Sequence, residues 1–143
     1  MKSLSFIEVA GRWSASSPVE PAVVRSAVSR AYYGAFHAAR ELLVEKYGWY
    51  CKSSNEHQWV QRHFLNSSIH EMQFLGQMLL SLHNLRKRAD YKLSDALIEQ
   101  RELARTAAEH ALEIHAQLAA LTDAQIIAVR EGMQRYRDSV GLT

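Results

Sequence analysis

Both prolines of the chain, Pro18 and Pro21, lie near its N-terminus. Proline stops a helix because it lacks the amide donor and its ring collides with the preceding turn. Nothing of that kind interrupts the sequence after Pro21, and apolar residues recur through it at helical spacing. No alternating stretch of useful length argues for a strand, and no internal repeat or low-complexity segment is present. The pattern predicts an all-α protein: an up-and-down bundle of four main helices with short accessory ones, in one domain over residues 1–143.

The helices can be placed from their start and stop signals. Phe6, Val9, Ala10 and Trp13 outline a short amphipathic helix over residues 5–13. Ser17, Pro18 and Glu20 read as a capped start with proline in the first turn. The helix that follows is expected to run to about Tyr47, with Gly48 ending it. Its broad apolar face carries Val24, Ala27, Val28, Ala31, Ala35 and Ala38, and the alanines let another helix approach closely. A polar stripe carries Ser26, Ser29, Arg30, Tyr33, His37 and Arg40. Ser53 to Glu56 form a second start signal for a short helix to Leu65. A third long helix is expected from Ile69 to about Arg88, with Tyr91, Lys92 and Leu93 extended or looped after it. Ser94 reads as the cap of a fourth, running from Asp95 to about Leu121 with Leu97 in its buried stripe. Thr122 and Gln125 open a final helix, so the core spans about residues 18–121 and the C-terminal helix about 122–140.

Composition excludes several function classes. The formal charge is only +2, so any nucleic-acid footprint has to come from local clustering. Cys51 is the single cysteine, which rules out an intramolecular disulfide and fits a reducing compartment. No apolar run approaches the ~20 residues of a membrane span, and no signal peptide is recognisable, so a cytoplasmic protein without a membrane partner is expected. The seven histidines do not fall into a Cys/His zinc pattern, His-Glu-x-x-His or the Glu-x-x-His pairs of a di-iron bundle. No glycine-rich phosphate loop or Gly-x-Ser-x-Gly elbow is present. No metal and no cofactor is expected.

The stretch Leu82-His83-Asn84-Leu85-Arg86-Lys87-Arg88-Ala89-Asp90-Tyr91 concentrates most of the chain's chemistry. On a helix His83 and Arg86 share a face, and Arg86 and Asp90 stand four apart. The plain reading is a helical ion pair worth roughly 0.3–0.5 kcal/mol, with Lys87 and Arg88 as solvated cations at a helix C-terminus. The functional reading is that Asp90 orients Arg86 towards a phosphate, while Lys87, Arg88 and Lys92 supply field. Tyr33 and His37, four apart on the second helix, are either satisfied polar groups at a helix–helix interface or the lining of a cleft.

Two blocks together resemble the HEPN family of prokaryotic helical domains, in its small stand-alone branch. Ser29-Arg30-Ala31-Tyr32-Tyr33 with Phe36, His37, Ala38 and Ala39 matches one motif, and Arg86, Ala89, Asp90 and Tyr91 match the Arg-x-x-Ala-Asp-Tyr signature. Ser53 and His57 loosely match a Ser…His step. The resemblance spans about residues 24–120 and does not cover the tail after Leu121. It implies a homodimer of helical bundles and RNA-directed activity: a metal-independent ribonuclease toxin of a toxin–antitoxin pair, with a minimal nucleotidyltransferase as antitoxin. In such relatives an arginine is followed after four to six residues by a histidine; here Tyr91 stands at the fifth position. Under this resemblance Arg86 polarises phosphate, Tyr91 and His83 handle protons or hydrogen bonds, and Lys87, Arg88, Tyr33 and His37 contact RNA or nucleotide. The alternative is a non-catalytic HEPN dimer that binds a nucleotide, RNA or a partner nucleotidyltransferase. A tyrosine, with a pKa of about 10, is a poor base near neutral pH, which favours that alternative.

Overall fold

Helix α2 (Pro21–Glu41) is the element the others are built on. In the computed structural model, which describes residues 2–15 and 20–142 (without the Ser14 side chain), it packs against α1 (Ser3–Ala15), α4 (His70–Tyr91) and α5 (Arg101–Ala119). The short α3 (Glu56–Leu65) lies on α4, and α6 (Asp123–Ser139) packs on α3. These six helices, with no strand among the described residues, make an all-α bundle. None of them is long and apolar enough to cross a membrane.

The alanine pattern explains why α2 is central. Val24, Ala27, Val28, Ala31 and Ala35 are fully buried, and α5 answers with buried Ala104, Ala107 and Ala111. Small side chains on both helices bring the backbones close, leaving bulk to be supplied from elsewhere. Tyr32, Phe64, Leu75, Leu79 and Leu82 supply it, each at most 1% exposed. Burying one such side chain contributes about 1.5–3 kcal/mol.

Two helix boundaries differ from the sequence expectation, and a third keeps its place but changes its winding. Ser17 and Pro18, read as the cap and first position of α2, lie outside the described residues; α2 begins at Pro21, whose missing amide suits the first turn. At its other end α2 widens into one π-helical turn, Leu42–Lys46, and Gly48 closes it at φ +71°, a conformation L side chains rarely adopt. The end of α4 matters most for the site. Helix α4 runs on through Asp90 and Tyr91, and the chain does not enter α5 directly from Asp95. A 3₁₀ turn, Ala96–Glu99, intervenes, and Gln100 in an extended conformation restarts the helix. The change of period turns Leu97 outward, 61% exposed, and buries Ile98 instead.

Arg25 accounts for that break. This arginine of α2 is 8% exposed and crosses to the end of α4. Its Nη1 donates to the carbonyls of Arg88, Ala89 and Lys92, and its Nη2 to those of Leu93 and Asp95, at 3.0–3.3 Å. Nε donates to Glu99 Oε1 at 3.0 Å. The α4 carbonyls that an ending helix leaves without partners are thereby satisfied, and the turn after them is held in shape.

Gly76 marks the closest approach between α3 and α4. A Cβ there would sit 2.8 Å from the Leu65 amide nitrogen and 3.0 Å from Phe64 Cβ, and backbone cannot swing aside. Gly76→Ala should therefore destabilise the fold by about 1–2 kcal/mol, the overpacking cost exceeding the gain in helix propensity, as read by urea denaturation.

Candidate functional site

The end of α4 meets α2 and α3, and the side chains that converge there carry most of the polar chemistry of the bundle. Arg86 is the centre. Its side chain is 13% exposed and lies between helices α2 and α4. Nη2 donates to Tyr33 Oη at 2.5 Å, and Nε stands 2.8 Å from Asp90 Oδ2. The Asp90 oxygen is off the Nε–H direction, so this pair is an electrostatic contact rather than a directed hydrogen bond. Ser29 Oγ donates to the same Asp90 oxygen at 3.3 Å. The guanidinium carbon is also 5.1 Å from the Tyr33 ring centre and 5.4 Å from that of Tyr91. A cation that faces two rings, a phenol and a carboxylate is held in one orientation, which a lone helical ion pair would not achieve.

Beside it lies a stack of rings. His83 is stacked on Tyr32 with centres 4.9 Å apart and on His57 at 5.3 Å. His57 in turn packs on Phe36 at 4.4 Å. Tyr32 Oη is 2.6 Å from His57 Nδ1, and Gln61 Nε2 is 2.7 Å from His83 Nδ1. Burial pushes the Tyr32 phenol up, so it stays protonated. Burial pulls both imidazoles down, helped for His57 by Arg86 and for His83 by His57, Lys87 and Arg86; His83 falls to about 4. The Gln61 amide donates to Nδ1 of His83, so a neutral His83 carries its proton on Nε2, whereas at the Tyr32–His57 contact the donor is set by the His57 tautomer. The site therefore joins a charged donor, the Arg86 guanidinium, to the Tyr33 hydroxyl, whose oxygen is already occupied by Arg86, and to the Asp90 carboxylate, with the two imidazoles packed beside them.

The remaining residues singled out in the sequence fall at various distances from this centre. Tyr91 is 71% exposed and reaches it only through its ring. Lys87 is exposed. Arg88 is engaged with Asp95, Nε to Oδ2 at 2.7 Å and Nη2 to Oδ1 at 3.3 Å, and so clamps the turn after α4. His37 is exposed at the edge, its ring 5.5 Å from Phe6 and 6.3 Å from Tyr33, and burial and Arg40 pull it down. Arg40 pairs with Glu56, which ties α2 to the first residue of α3 beside His57. Cys51 is partly buried, with Sγ 3.3 Å from Ser53 Oγ. No group of three or more His, Cys, Asp or Glu among the described residues is arranged to hold a metal ion. Sequence reasoning missed Gln61, gave Tyr32 to the core alone and gave His57 only a loose motif match. The available signal was the four-residue spacing of His57 and Gln61 on α3, which puts them on one face.

These imidazoles couple the fold to pH. His57, His63 and His83 all titrate below an ordinary histidine, with burial the largest cause in each. The unfolded chain then binds more protons than the folded one between about pH 4 and 6.5. Stability is fully present above the unfolded pKa and is lost as pH falls through that window. The midpoint of thermal unfolding should drop as pH is lowered from about 7.5 to 5, above the range in which ordinary carboxylates titrate.

The chain matches no protein-family model, no curated protein and no solved structure.

Proposed function

We propose that this is an RNA-directed, HEPN-like protein whose Arg86 site seats a phosphodiester. The observation that supports this best is the largely buried Arg86 guanidinium held between Tyr33 and Asp90, with two neutral imidazoles beside it. A phosphate offers acceptors only, and Arg86 is a charged donor that Tyr33 and Asp90 hold in place; hydrogen bonds of that kind are the stronger class. Tyr91 supplies an exposed ring on which a base can stack next to Arg86. Pairing two such sites in a homodimer, and capping them with a nucleotidyltransferase partner, belong to the same proposal.

A second reading, metal-independent cleavage, draws on the Tyr32–His57 bond. If Tyr32 turns its proton to the Gln61 carbonyl, His57 can carry its own proton on Nδ1. Nε2 then becomes a base for the 2′-hydroxyl, and Arg86 meets the charge building on phosphorus. The lowered pKa of His57, from burial and the Arg86 charge, makes it a weak base and favours binding over this.

The test uses the full chain and mixed single-stranded RNA in EDTA, with binding read by gel shift and cleavage by product length. Binding that weakens between roughly 50 and 200 mM salt, without products, supports the first reading. Products under the same conditions support the second. RNA that neither shifts nor shortens would sink both.

A further inference from the structure

The alternation of rings and cations at Arg86 does not stop at that site. Tyr91, Arg86 and Tyr33 follow one another at 5.4 and 5.1 Å, and Tyr33 is stacked on His37 with ring centres 6.3 Å apart. His37 then meets Phe6 of α1 at 5.5 Å, and the Arg30 guanidinium carbon lies 5.5 Å from the Phe6 ring centre. Side chains from α4, α2 and α1 thus form one unbroken row of four rings and two guanidinium groups. On α2 the row follows from spacing, since Arg30, Tyr33 and His37 recur three and four residues apart and share a face. Both ends of the row are open: Tyr91 is 71% exposed at one, and Arg30 and His37 are exposed at the other.

A cavity of about 720 Å³ opens beside Phe6 and His37. Its wall carries Glu41 as well as Lys2, opposite charges that suit an uncharged base better than a phosphate. The acid nearer the middle of the row, Asp90, is engaged by Arg86 and Ser29. No ion pair engages Arg30 among the described residues, so its charge faces the row uncancelled. The steps of the row, 5.1–6.3 Å, exceed the roughly 3.4 Å between nucleotides along one strand of a duplex. Rings spaced in that way meet bases drawn apart, which a single strand allows and a duplex does not. We propose that the row is a track for an extended single strand of about four nucleotides, with Arg86 and Arg30 on its phosphates, one base on Tyr91 and another in the cavity against Phe6 and His37. The track rests on the reading of Arg86 as a phosphate seat, and adds to it the course of the strand, from α4 across α2 to α1.

Fluorescence anisotropy of the full chain with labelled di-, tetra- and hexauridylate tests this. Affinity should rise by at least about tenfold from the dinucleotide to the tetranucleotide and level off at the hexanucleotide. Phe6→Leu keeps an apolar group in place, and should weaken the tetranucleotide by at least about fivefold while leaving the dinucleotide unchanged. Because Phe6 is partly buried and its replacement can unsettle α1, the exposed Arg30→Gln is the second variant. It should lower the slope of log affinity against log salt by about one, with the unfolding temperature of the free protein held. Affinity that ignores length, or Phe6→Leu and Arg30→Gln both binding the tetranucleotide like the unaltered chain, would overturn the track; if Arg86→Ala still weakened binding, the phosphate seat would stand without it. A duplex bound as tightly as the single strand would overturn the track too. No binding of any of these oligonucleotides would remove the track and the seat together.

Discussion

The Arg25→Met substitution should destabilise the protein by about 3–5 kcal/mol, the cost of stranding the partners of a buried charge. For a chain of this length that is a fall in unfolding temperature on the order of 10 °C. The reason is what the substitution leaves behind. The carbonyls of Arg88, Ala89, Lys92, Leu93 and Asp95 lose the Arg25 donor at once; those of Arg88, Lys92 and Asp95 keep a backbone amide, whereas those of Ala89 and Leu93 lean on Arg25, and the Glu99 carboxylate loses its counter-charge. Methionine fills the volume but replaces none of the lost donors and no part of the charge. Glu99→Gln should be much milder, because Arg25 keeps all its carbonyls and Glu99 is the more exposed partner, 28% against 10%. Urea denaturation of the two variants separates the roles. Equal and small losses would show that the turn is held by other contacts.

Arg86→Ala should have the larger functional effect and the smaller structural one. Removing a charged hydrogen-bonding fork from a phosphate contact costs about 1.5–3 kcal/mol, roughly 10- to 150-fold in affinity for RNA. The slope of log affinity against log salt should fall by about one, since one phosphate contact is gone. Where cleavage is observed, the loss should be about 10²–10³-fold in rate. Arg86→Lys should recover only part of either, because an ammonium restores the charge but cannot face Tyr33 and Asp90 together. RNA binding unchanged in Arg86→Ala would remove the proposed site and leave a helical scaffold.

What could be read from the sequence follows the range of the interactions. The Arg86–Asp90 pair is local, four residues apart on one helix, and spacing alone placed it. Tyr33 lay on the polar stripe of α2, facing a neighbour that the stripe itself could not name. The start of α6 was legible for the same local reason: Thr122 and Gln125 close a capping box within one turn. The contacts that complete the site cross between helices. Tyr32 reaches His57 over 25 positions and Gln61 reaches His83 over 22, and no periodicity encodes such pairs. Arg25 was invisible because most of its partners are backbone carbonyls, which every residue possesses. The 3₁₀ turn that replaces the first turn of the expected fourth helix was hidden for that reason too.

Tyr32 and Tyr33 are consecutive, and each serves a different neighbour. Successive residues on a helix point about 100° apart, so the first enters the core against His57 while the second carries Arg86. The axial rotation of α2 is therefore registered twice. Adding or deleting one residue between Arg25 and Tyr32 would swing both phenols off their partners and turn the clamp at Arg25 relative to them. Length changes in this helix have no compensating register.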